Sequence, residues 1–143
     1  MTAPDPDLQR FLDAQDAGGT YESALAELTV GRKTSHWIWF VFPQLAGLGR
    51  SEMSRRYAIA SLAEARAYAE HPVLGERLRD CARALLCHRG RDPAEIVGGI
   101  DAVKLRSSMT LFAAAAPGEP LFTRVLDSFY EGEPDSETER LLA

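Results

Sequence analysis

Three constellations in this chain hold residue types capable of chemistry. His36 sits beside Trp37. An imidazole can act as acid, base or donor near neutral pH, and an indole can stack on a flat ring. Gln44 closes the same aromatic stretch with an amide. The second constellation is the glycine-bearing loop Gly47-Leu48-Gly49-Arg50-Ser51, which feeds a helix start. Free N–H groups and the positive end of a helix dipole suit an anion there, and Arg50, Arg55 or Arg56 can add charge-assisted bonds to phosphate. Tyr57, at the end of that helix, joins the candidate ligand set. The third is Asp101, Lys104 and Ser108, which fall within about 60° of one another at 100° per helical residue. That row borders the apolar stripe of Ala102, Leu105 and Met109, where a half-buried lysine can take a shifted pKa and contact an anion. Glu64 and Glu70 bracket Tyr68, and one buried carboxylate among them can serve as acid or base.

Each constellation also has a plain structural reading. His36 can be a core-edge histidine bonding a carbonyl, and Gly47–Ser51 can be an ordinary turn before a capped helix. Asp101 can be an N-cap with an i,i+3 ion pair to Lys104. The loop is neither a P-loop nor a dinucleotide fingerprint, because no GK[ST] follows and no strand precedes. Motifs for serine or cysteine hydrolases, zinc enzymes and kinases are absent, so no metal and no cofactor is expected. Cys81 and Cys87 point about 120° apart on a helix, which suggests two buried, reduced thiols in a cytoplasmic protein.

The elements that must position these residues read as helices. Residues 7–17 form one, with Leu8, Phe11 and Leu12 on a stripe and Gly18-Gly19 as its stop. Thr20 can cap a second through Leu28, ended by Gly31. The run from Ser35 to Phe42 contains both tryptophans and has strand propensity. No other segment offers it a partner strand, and a lone buried strand would leave backbone groups unpaired. It is therefore expected to be a short buried helix, capped by Thr34 or Ser35 and ended near Pro43. Ser51 can cap a helix to Tyr57, and Ser61-Leu62-Ala63-Glu64 is a capping box. Pro72 opens a helix with Leu74, Leu78, Cys81 and Leu85 inward, and Glu76, Arg79, Asp80 and Arg83 on a solvated face. A turn from Asp92, helices from Asp101 and Pro120, and a last one capped by Ser136 complete the chain. The fold class expected is all-α: a single-domain orthogonal bundle of about eight short helices around a buried aromatic segment, spanning residues 1–143, with 1–6 loose.

The 143 residues are enough for one core without staples, and 45% apolar with 26% charged residues is an ordinary globular balance. A net charge of −5 argues against general nucleic-acid binding. No apolar run is long enough to span a bilayer, and the N-terminus shows no signal pattern, so a cytoplasmic location without membrane contact is expected.

The chain closely resembles, over nearly its whole length, the uncharacterised bacterial domain-of-unknown-function 1810 family. The residues that carry the resemblance include Leu8-Gln9-Arg10-Phe11, the stretch Ser35 to Gln44, Gly47 to Ser51, His71-Pro72-Val73-Leu74-Gly75 and Lys104 to Phe112. At Val97 that family is more often aromatic. The resemblance implies the fold and supplies no activity. A fainter, fold-level likeness is to helical domains that remove ADP-ribose from modified guanine. In that light Trp37 would stack a base, the Gly47–Ser51 turn and arginines would hold a diphosphate, and Glu64, His36 or Lys104 would serve the glycosidic bond. The reading is thus a pocket protein for a nucleotide-like anion, with hydrolysis of an N-glycosidic bond as the activity the fainter likeness implies; its rival is a non-catalytic interaction or structural module.

Overall fold

The computed structural model describes residues 7–143, so the loose lead expected over residues 1–6 lies outside the described residues. Among the described residues the chain is a single all-α domain of ten helices. These are α1 (Gln9–Asp16), α2 (Thr20–Val30), α3 (Ile38–Val41), α4 (Glu52–Arg56), α5 (Leu62–Glu70), α6 (Leu74–Leu86), α7 (Pro93–Val97), α8 (Gly99–Ala115), α9 (Pro120–Tyr130) and α10 (Ser136–Leu142). No strand forms among these residues; one parallel bridge pairs Leu45 with Ile59.

The axis of the bundle is α8. Ser107, Ser108, Met109, Thr110, Leu111 and Phe112 are all buried, and six consecutive buried residues cover every face of a helix. Neighbours surround it accordingly: α9, α5, α7, α10 and α3 all pack on α8. The aromatic segment is one layer against this axis. Phe42 and Trp37 are fully buried, and Phe40 stacks edge-on to Tyr57, which in turn meets Phe11.

Local signals explain most boundaries. Ser61 Oγ accepts from the Glu64 N–H, as a capping box requires, while the Glu64 carboxylate reaches back to the N–H of Ala60 rather than that of Ser61. Ser51 caps α4 by accepting from the Ser54 N–H. At the start of α6, Gly75 N–H donates to the His71 carbonyl, and His71 Nδ1 accepts from the N–H groups of Val73 and Leu74. His71 therefore caps the turn that leads into α6, and Pro72, expected to open the helix, lies in that turn two residues before it. Asp135 docks α10 on α8: its carboxylate accepts from Ser107 Oγ, Thr138 Oγ1 and the Thr138 N–H, and its own N–H donates to Thr110 Oγ1.

Several expectations need correction. Thr20 is the first residue of α2, and Gly19 stands in its cap position. Ser136 is likewise the first residue of α10, which Asp135 caps, and Asp101 lies inside α8, whose cap position is Gly98. Neither Thr34 nor Ser35 caps α3; both turn instead to Glu27. Arg79 is not on a solvated face, since its guanidinium bridges Glu119 at 2.7 Å and the Ala69 carbonyl at 2.8 Å. Finally, only Cys81 is buried. Both thiols are free, but Cys87 is exposed because it follows the last turn of α6, beyond the apolar stripe.

Candidate functional site

The segment between α2 and α3 is held by an unexpected residue. Glu27 lies in the last turn of α2, where the helix dipole disfavours an anion. Its Oε1 accepts from the N–H groups of Thr34 (2.7 Å) and Ser35 (2.9 Å) and from Trp37 Nε1 (3.0 Å), and Oε2 accepts from Ser35 Oγ (2.5 Å). Partial burial works against ionisation, but this set of donors, led by Ser35 Oγ, outweighs it and holds the carboxyl down at about 2. The turn that lets the chain double back is Gly31, at φ 88°, where any side chain would also collide with Arg91 and His88.

This cradle delivers Lys33 to the start of α8. The Lys33 N–H donates to the Ile96 carbonyl at 2.7 Å, tying the segment to α7. Its ammonium, with the side chain only 7% exposed, donates to the Ser35 carbonyl at 2.6 Å and pairs with Asp101 Oδ2 at 2.8 Å. It also sits 5.0 Å from the centre of the Trp37 ring. The other Asp101 oxygen is 3.8 Å from Lys104, whose ammonium lies 5.3 Å from the centre of the Trp39 ring. Two cations thus share one carboxylate, and the looser pair is Lys104. Beside them is an open cleft of about 340 Å³ lined by Lys33, His36, Val97, Gly98, Gly99, Ile100 and Asp101.

The predicted site residues are only partly brought together. His36 is exposed on this cleft and Asp101 forms its wall, whereas Lys104 does not line it and meets the other oxygen of Asp101. Trp37 is fully buried with its N–H engaged by Glu27, so its ring lies in the core and offers no free face. Gln44 is half-buried and its carbonyl accepts from the Ile59 N–H, within the bridge between the loops. Gly47 packs near Leu141, Gly49 against Ser54, and Arg50 is exposed; this turn does not line the cleft. Tyr57 is core. The Glu64 carboxylate is 3.0 Å from Arg10, which also donates to the carbonyls of Arg56 and Ala58. Ser108 is fully buried with an unpartnered hydroxyl.

Sequence reasoning passed over Glu27, Lys33, Arg10 and Gln15. Gln15 is 1% exposed and donates to the Phe40 carbonyl and the Tyr68 hydroxyl, while accepting from Arg77. An acid in the last turn of α2 was the one visible anomaly. Groups of histidine, cysteine and carboxylate fit to hold a metal are absent among the described residues. No helix of these residues is long and apolar enough to cross a membrane.

Residues 5–142 match the family described as a protein of unknown function, DUF1810. The chain belongs to that family. A similar solved structure is that of the conserved hypothetical protein Rv1873 from Mycobacterium tuberculosis: 47% identity, 98% of each chain covered and a TM-score of 0.92. No curated protein matches the chain. The expected family and all-α fold therefore hold for this DUF1810 chain, and Val97 lies on the cleft wall.

Proposed function

We propose that the chain binds a small phosphorylated anion in the cleft formed by Lys33, His36 and the start of α8. The observation that carries this reading is the shared carboxylate: Asp101 pairs with Lys33 at 2.8 Å and leaves Lys104 at 3.8 Å, so positive charge is in excess at the opening turn of α8. The N–H groups of that turn and the imidazole of His36 add donors. Trp39, half-buried with its ring centre 5.3 Å from the Lys104 ammonium, is the aromatic this reading assigns to a nucleotide-like ligand in place of the buried Trp37. Any hydrolysis of an N-glycosidic bond would draw its acid or base from His36, because Arg10 engages Glu64. Thermal-shift measurements with ADP-ribose, NAD and nucleotides test binding: a shift that disappears in folded Lys33→Ala and Lys104→Ala variants is expected. Absence of any shift in well-folded protein would sink the reading. Release of free base from an ADP-ribosyl nucleoside, lost in His36→Ala, tests the hydrolytic step.

The rival, a non-catalytic interaction module, is favoured by the separation of His36, Trp37, Gln44 and Lys104 and by two exposed apolar residues at the same helix start. Ile100 is 77% and Val103 63% exposed. Under that reading, Lys104→Ala costs stability and alters no small-molecule binding, whereas Ile100→Asp removes a protein partner without unfolding the chain.

A further inference from the structure

A second cleft, of about 320 Å³, lies between the end of α6 and the first turns of α9, and is lined by Arg83, Leu86, Cys87, Arg89, Leu121 and Arg124. Three guanidinium side chains share this one small volume in a chain of net charge −5. Asp80 engages Arg83 at 3.1 Å in an exposed i,i+3 pair. Among the described residues, neither Arg89 nor Arg124 has a carboxylate within 4.0 Å. The carbonyl end of α6 favours cations and so accounts for Arg83 and Arg89. It does not account for Arg124, which sits near the positive end of α9. Asp80 offsets Arg83, so an excess of two exposed positive charges, Arg89 and Arg124, stands beside the apolar walls of Leu86 and Leu121 and favours an anion there.

We propose that this cleft is a binding site for a compact, multiply charged oxyanion of the phosphate monoester or diphosphate class. Guanidinium forks match tetrahedral oxyanions through paired N–H donors, and three of them around one volume satisfy more than one face of such a group. The site is independent of the Lys33 cleft, since the two share no residue. Its occupancy has a local reporter. The Cys87 thiol is exposed on the cleft, whereas Cys81 is buried, so a bound anion shields one thiol only.

The test follows alkylation of Cys87 in the full chain by neutral iodoacetamide, read by intact mass, with inorganic pyrophosphate as the probe. Pyrophosphate is expected to slow the reaction several-fold and saturably, while sodium chloride at matched ionic strength does not. The Arg89→Ala/Arg124→Ala variant should lose this protection, and Arg89→Lys/Arg124→Lys, which keeps the charge and removes the forks, should weaken it. Lys104→Ala should retain it in full. No protection in the native chain, equal protection by sodium chloride, protection that survives the double alanine variant, or protection lost in Lys104→Ala would each overturn the proposal.

Discussion

Replacing Glu27 by glutamine keeps the shape of the side chain and removes its charge. The carboxylate accepts four hydrogen bonds from the segment Thr34–Trp37, one of them from the fully buried indole of Trp37. In Glu27→Gln the amide oxygen can keep the three bonds made by Oε1, and the amide N–H₂ can donate to Ser35 Oγ. What is lost is the charge assistance. The folded-state value of about 2 against the ordinary 4.5 corresponds to roughly 3 kcal/mol at 1.36 kcal/mol per tenfold, and solvent at this half-buried position reduces it to about 1–2 kcal/mol. The sign is that of a depressed carboxylate. The stabilisation is complete above 4.5, declines as pH falls from there, and is gone below about 2. Urea unfolding followed by tryptophan fluorescence at pH 7 and pH 3 measures this. Wild type should be about 1–2 kcal/mol more stable than Glu27→Gln at pH 7, and the gap should shrink by roughly half at pH 3. Other carboxylates titrate equally in both proteins and cancel in the difference. A gap that does not change with pH, or one below about 0.5 kcal/mol at pH 7, would show that Glu27 does not hold this segment through its charge.

Gly75→Ala, normally a gain of up to about 1 kcal/mol within a helix, should instead destabilise by about 1–3 kcal/mol, because the new methyl collides with the Ala69 carbonyl; the urea midpoint decides the sign. Arg10→Ala should cost about 1–3 kcal/mol in the same assay, since the carbonyls of Arg56 and Ala58 and the Glu64 carboxylate all lose a donor. Gln15→Leu should cost about 2–3 kcal/mol, as the Phe40 carbonyl keeps only its 3.3 Å bond from Tyr68 and Arg77 loses an acceptor. Titration with a disulfide reagent at pH 8 should count one thiol in the native chain and two after denaturation, because burial pushes Cys81 up to about 12 while Cys87 is exposed.

Helices were legible wherever periodicity and caps coincide. Leu74, Leu78, Cys81 and Leu85 lie on one buried stripe, as their spacing implies, and Ser51 and Ser61 cap the helices they precede. The short aromatic helix was reached by elimination, from the absence of a partner strand, and α3 bears that out. Its cap could not be reached that way. A capping residue competes for the same N–H groups as any acceptor brought close by tertiary structure, and Glu27 reaches Thr34 and Ser35 seven and eight residues away across the Gly31 turn. Periodicity also misjudged which element is central. The stripe of Ala102, Leu105 and Met109 suggested one buried face for α8, but Ser107, Ser108 and Thr110 are buried as well. Ser107 and Thr110 return their donors to carbonyls of their own helix or, for Ser107, to Asp135, so they read as polar in sequence and pack as core, whereas Ser108 is buried with no partner.

The same limit governs the candidate site. Helical geometry placed Asp101, Lys104 and Ser108 on one row, and Asp101 does reach Lys104. A row on one helix says nothing about what a neighbouring loop inserts beside it. Here the loop brings Lys33, whose ammonium is more buried than that of Lys104 and 1.0 Å closer to the shared carboxylate (2.8 against 3.8 Å). Desolvation makes a buried, singly paired cation costly, so Asp101 is committed first to Lys33. Under the proposed function Lys104, more exposed and loosely held, is the charge left for the anion. Removing Lys33 should therefore draw Asp101 toward Lys104 and weaken anion binding indirectly, whereas removing Lys104 weakens it directly and leaves the Lys33–Asp101 pair in place.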